Sequence, residues 1–94
     1  MSVVMMIDNP SGSQEIYERA SSGMSLPLGG SVHLAGPGPD GGWRVIEVWA
    51  IEEEANRFLR DALAPALRAA GAQGPPPSAQ FWPLYRGETA GVPA

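Results

Sequence analysis

The chain has 94 residues, no Cys, no Lys, one His and a net charge of −4. It can form neither a disulfide nor a thiolate metal centre, and one imidazole is a poor start for structural zinc, so neither metal nor cofactor is expected. Its six basic residues, Arg19, Arg44, Arg57, Arg60, Arg68 and Arg86, are scattered, which leaves no footprint for nucleic acid.

The missing Lys and Cys also exclude Schiff-base and thiol-nucleophile chemistry. Length points to one domain, residues 1–86, with a loose tail at 87–94. So short a chain without staples is marginal alone, so pairing with a second copy is the expected remedy. Ser2–Ile7 is too short for a membrane span and no basic residue precedes it, so a cytoplasmic location is expected.

In chain order, Ser2–Ile7 is an apolar run closed by Asp8-Asn9-Pro10, a buried strand and a turn. Ser11 and Gln14 fit a capping box, and Ile16, Tyr17, Ala20 and Met24 recur at helical spacing; a helix is expected over about 12–22, with Gly23 as its stop. Residues 25–30 connect to a second strand, Ser31–Ala35. Gly36–Gly42 is turn chemistry, with Asp40-Gly41 able to take positive φ. Trp43–Trp49, rich in aromatic and β-branched residues, is the clearest strand and should form a hairpin with the second.

Glu52-Glu53-Glu54 opens a second helix, where negative charge suits the dipole. Ile51 before it cannot accept the orphan backbone hydrogens. Ala55, Phe58, Leu59, Ala62, Leu63, Ala66, Leu67 and Ala70 form an apolar stripe. Pro65 lacks a backbone donor and predicts a kink near Ala64, and Gly71 a stop. Gly74–Pro77 is a stiff spacer, and Gln80–Tyr85 a last strand that Pro83 confines to an edge. The fold class is therefore α+β: a ferredoxin-like β-α-β-β-α-β unit with a four-stranded antiparallel sheet. Helices cover one sheet face. The other is expected to meet the sheet of a second copy, giving a homodimer through the sheet face.

The string Gly42–Trp49, the segment Glu52–Phe58, Leu63–Leu67, the prolines before the last strand and His33–Pro37 resemble small actinobacterial proteins of the dimeric α/β-barrel superfamily, near the antibiotic-biosynthesis-monooxygenase-like group. The resemblance covers roughly residues 3–85. It implies paired sheets with helices outside and a pocket within each subunit, between sheet and helices. It does not fix a reaction, since that superfamily holds cofactor-free oxygenases, haem-degrading enzymes, cyclases, isomerases and proteins of no known activity. Haem-degrading relatives carry a His on the second helix; around Arg68 this chain has none, so haem is not implied.

Strand alternation puts Trp43, Val45, Glu47 and Trp49 on one face. If Ala35 pairs with Trp43, His33 stands opposite Val45, one diagonal step from Glu47 on the same face. A His beside a Glu is a general-base unit, because the carboxylate fixes the tautomer and stabilises the imidazolium. His33 and Glu47 are thus the candidate catalytic pair. The plainer alternative is that Glu47 meets an Arg across the dimer and His33 a backbone carbonyl. Trp43, Trp49, Tyr17, Phe58 and Met24 are the candidate substrate-binding residues, suited to a flat apolar molecule. The expected function is a cofactor-free monooxygenase acting on an aromatic or polyketide-like substrate. A cyclase or isomerase with the same base, or a non-catalytic binding or assembly dimer, are the alternatives.

Overall fold

The computed structural model describes residues 2–22, 24, 30–39, 41–74 and 77–88. The expected stop at Gly23, the connector over 25–29, Asp40, Pro75, Pro76 and most of the tail lie outside them.

The elements follow the expected order: β1 (Val3–Asn9), α1 (Gln14–Ser21), β2 (Gly30–Pro37), β3 (Trp43–Trp49), a second helical arm and β4 (Ala79–Pro83). The strands form one antiparallel sheet in the order β2-β3-β1-β4. This α+β arrangement, with two helical crossovers on an open four-stranded sheet, is compatible with a ferredoxin-like fold. β4 is an edge strand, which accommodates Pro83 opposite Val3 without removing an interior ladder bond.

The cap of α1 is Ser13, not Ser11. Its Oγ accepts from the Ile16 backbone N–H at 3.2 Å, which starts the helix at Gln14. The second arm bears out the disruption expected of Pro65. Regular helix runs over α2 (Glu52–Phe58), gives way to a π-helical turn over Leu59–Leu63, and resumes as α3 (Ala64–Ala69). Pro65 cannot donate to the Asp61 carbonyl and its ring crowds it. The arm absorbs this by widening one turn, so that Ala64 N–H reaches back five residues to the Leu59 carbonyl. At the start of α2, Ile51 makes no side-chain cap.

The core lies between the helices and one sheet face. Met5, Ile7, Trp49 and Ala55 are buried together, with Val3, Val45, Phe58, Leu59, Leu63, Ala79 and Phe81 packed on them. The alternate strand residues therefore face away from the helices: Val4, Met6 and Asp8 on β1, Val32 and Leu34 on β2, Arg44, Ile46 and Val48 on β3, and Trp82 on β4. Leu34 is 49% exposed and Trp82 42%. This face is largely apolar, and on it Arg44 Nε and Nη2 donate to the two Asp8 carboxylate oxygens at 2.6 and 2.9 Å. That guanidinium holds the Asp8 carboxyl below its ordinary value.

The β2–β3 turn folds back on the end of β1. Gly42 sits at φ 71°, and a Cβ there would stand 2.4 Å from the Asn9 carbonyl oxygen. Only glycine meets both demands. Among the described residues no helix is long and apolar enough to cross a membrane.

Candidate functional site

β2 and β3 pair with His33 directly opposite Glu47, Ala35 opposite Val45 and Pro37 opposite Trp43. The expected register was two residues out. A two-residue slip preserves side-chain parity, so His33 and Glu47 still share a face, and they meet side by side rather than diagonally. The shared face is the helix face, which α1 crosses with Tyr17.

Four side chains connect in series. Trp49 Nε1 donates to Glu47 Oε1 at 2.9 Å. Glu47 Oε2 lies 2.6 Å from His33 Nδ1, and His33 Nε2 lies 2.6 Å from the Tyr17 hydroxyl. The indole can only donate and an ionised carboxylate can only accept. With a neutral imidazole one assignment satisfies every contact: His33 carries its proton on Nδ1 and donates it to Glu47, while Nε2 accepts from Tyr17. Within the chain, the two His33 ring nitrogens meet Glu47 and Tyr17 rather than a backbone carbonyl.

Burial grades along the series. Glu47 is 2% exposed, the only charged residue among the buried described ones. A carboxylate so placed needs strong donors, and Trp49 and His33 supply them. The His33 side chain is 34% exposed, because β2 is an edge strand. Tyr17 is half-buried, its ring stacked on His33 with centroids 5.9 Å apart and tilted against Trp43 at 5.3 Å. Burial, and secondarily the Glu47 charge, raise the Tyr17 phenol above its ordinary value. The terminal group of the chain is thus held as a neutral proton donor.

Tyr17, His33 and Glu47 form part of the wall of a cavity of about 370 Å³ between α1, the sheet and the second helical arm. The volume falls within the range of small-molecule sites, about 300–1,000 Å³. The rest of the lining is chiefly apolar: Ile7, Ile16, Trp43, Val45, Phe58 and Leu63 among others, with Met24 at one side. Gly12 keeps the wall thin where it passes Asn9 and Trp43, since a Cβ there would approach both at 3.0 Å.

Of the residues expected to bind substrate, Trp43, Tyr17, Phe58 and Met24 line this cavity. Trp49 does not. It is 1% exposed, packs on Phe58 with ring centroids 5.4 Å apart, and reaches the site only through its N–H to Glu47. Alternation put Trp49 on the correct face, but the end of β3 lies under α2, where the core closes. Trp43 Nε1 is buried with no hydrogen-bond partner among the described residues, at the cavity wall. One feature was not legible beforehand, that Tyr17 caps the imidazole; Asn9, at the end of β1, lines the cavity, a place the sequence offered beside its turn-making role. The β1 alternation that places Ile7 inward also places Asn9 inward, which was the available signal.

Among the described residues no group of three or more His, Asp and Glu is placed to hold a metal ion. Compared with protein-family models and with curated proteins, the chain matches none.

Proposed function

We propose that this chain is an enzyme that moves protons on an apolar aromatic or polyketide-like molecule, and that it is a monooxygenase working without a cofactor. The observation that carries the reading is the hydrogen-bonded series Tyr17–His33–Glu47 set into the wall of an apolar cavity. A hydroxyl on an imidazole backed by a buried carboxylate is the arrangement that general acid–base chemistry requires.

Because the phenol occupies Nε2, His33 takes the substrate proton through it. Tyr17 Oη accepts a proton from an activated C–H or phenol as its own proton passes to Nε2. Glu47 stabilises the imidazolium that results. The electron-rich carbanion or phenolate left in the cavity then reacts with molecular oxygen. For an anthrone-type substrate the ring CH₂ becomes a quinone carbonyl with one oxygen atom, and the other leaves as water with both hydrogens. Carbon is oxidised and oxygen reduced, so no further reductant is needed. Aromatic and aliphatic walls suit a flat substrate and keep the carbanion from water.

The test is oxygen uptake on adding an anthrone to the full chain. Stoichiometric uptake with quinone formation, lost in His33→Ala, supports the reading. A cyclised product formed without uptake, and equally dependent on His33, favours the second reading, a polyketide-type cyclase or isomerase using the same base. Turnover unchanged in His33→Ala removes both.

The sheet face turned away from the helices supports a second part of the proposal. Met6, Val32, Leu34, Ile46, Val48 and Trp82 make it a continuous apolar surface on a short chain, and a second copy of the same sheet is its cover. The paired sheets then enclose a barrel, in keeping with the superfamily resemblance.

A further inference from the structure

Beside the cavity lies a smaller hollow of about 50 Å³, lined in part by Asn9, Leu67, Arg68, Gln73 and Pro77. Asn9, Leu67 and Pro77 line both spaces, so the hollow adjoins the cavity. It is built by chain reversal. α3 puts Leu67 and Arg68 side by side, and Gly71 at φ 96° and Gly74 at φ 86° turn the chain so that Gln73 shares the hollow with Asn9 at the end of β1.

The polar lining is one-sided in charge. Arg68 is a cation and a pure donor, Asn9 and Gln73 each offer an amide NH₂, and no Asp or Glu is among the described lining residues. None of these three side chains has a hydrogen bond or ion pair among the described residues. Arg19, Arg44, Arg60 and Arg86 each hold a carboxylate. Among the described residues Arg57 and Arg68 hold none, and of these two only Arg68 lines a hollow. An Arg in the last turn of α3 also complements the helix end, but that role needs neither amide beside it.

We infer that this hollow receives a carboxylate carried by the molecule that occupies the cavity, so that the substrate class is an aromatic or polyketide-like acid. This rests on the small-molecule reading of the cavity. The hollow is much the smaller of the two spaces, about 50 Å³ against about 370 Å³, as suits a polar end group rather than the apolar body of the molecule. The chemistry agrees as well: a guanidinium binds carboxylate through charge-assisted bonds, and the amides supply further donors. A carboxylate seated there leaves the apolar body in the cavity that Tyr17 also lines.

The experiment compares two probes of nearly equal shape, 2-naphthoate and neutral 2-acetylnaphthalene. Binding to the full chain is followed by tryptophan fluorescence and calorimetry at neutral pH and low salt. The acid is expected to bind about tenfold more tightly, consistent with one partly exposed charge-assisted contact. Arg68→Gln is expected to remove that preference and leave the neutral probe's affinity unchanged. Equal binding of the two probes, or an acid preference that survives in Arg68→Gln, overturns the inference while the cavity reading stands. Failure of both probes to bind at millimolar concentration overturns the cavity reading and this inference with it.

Discussion

His33 Nδ1 and Glu47 Oε2 lie 2.6 Å apart because the β2–β3 ladder makes these two residues direct partners. The carboxylate is buried and the imidazole is at a sheet edge, so the contact joins the core to the cavity wall. Trp49 Nε1 holds the other carboxylate oxygen. Replacing Glu47 with Ala strands that indole N–H in the core, and we expect a loss of about 1–3 kcal/mol in urea unfolding. Glu47→Gln keeps an acceptor for Trp49 and should cost less. It cannot stabilise an imidazolium, so its turnover should fall at least tenfold. A Gln variant as active as the parent would show that the carboxylate's charge plays no part.

Tyr17→Phe separates the relay from the cavity. The ring, its stacking on His33 and its contact with Trp43 survive, and only the hydroxyl goes. We expect kcat to fall about 10²- to 10³-fold, with little change in the affinity for a neutral aromatic probe. A parent-like kcat would mean that His33 meets the substrate directly.

The raised pKa of Tyr17 fixes a pH dependence. In the unfolded chain the phenol ionises near the ordinary tyrosine value of about 10. In the folded protein burial, helped by the Glu47 charge, delays this. Between those two values the unfolded state holds fewer protons, so stability declines as pH rises. The contribution is fully present below about pH 10 and is lost as pH passes the folded value. In Tyr85→Phe, Tyr17 is the one remaining tyrosine. Its phenolate absorbance should appear above the ordinary midpoint, and denaturant midpoints should fall over the same alkaline range. A midpoint at or below about 10 contradicts this.

The open sheet face makes the oligomeric state testable. Ile46 and Leu34 are cross-strand partners on that face. Ile46→Asp places a charge in the middle of it. If two sheets pair there, sedimentation should show a dimer for the parent and a monomer for the variant, with lower thermal stability because the pairing stabilises the fold. A monomeric parent, or a variant that remains dimeric, removes the sheet-to-sheet arrangement.

Ile51 is a fault at the head of α2. It is 51% exposed and makes no cap bond. Ile51→Ser, with its backbone already extended at φ −136° and ψ 126°, offers an acceptor to the free N–H groups of the first turn. A gain of about 1 kcal/mol is expected, a rise of several degrees in Tm for a domain this size.

The residues by themselves determined the elements and the side-chain faces. Strand alternation sorted Trp43–Trp49 into two faces without saying which one turns to the helices, and Pro65 announced the break that the π-helical turn absorbs. Local steric rules suffice for such features, because they act within a few residues. Strand parity also carried the pairing of His33 with Glu47 through an incorrect register, since a slip of two leaves every face unchanged.

Only the tertiary structure decided the rest. No local rule states how far along a strand the core ends, so Trp49 and Trp43 looked alike in sequence, yet one is sealed under α2 and the other lines the cavity. Tyr17 meets His33 because α1 packs across β2 and β3 at one height, a long-range packing outcome that periodicity does not encode. The same holds for Arg68, an unremarkable helix-end charge until the turns at Gly71 and Gly74 bring Gln73, and packing brings Asn9, around it.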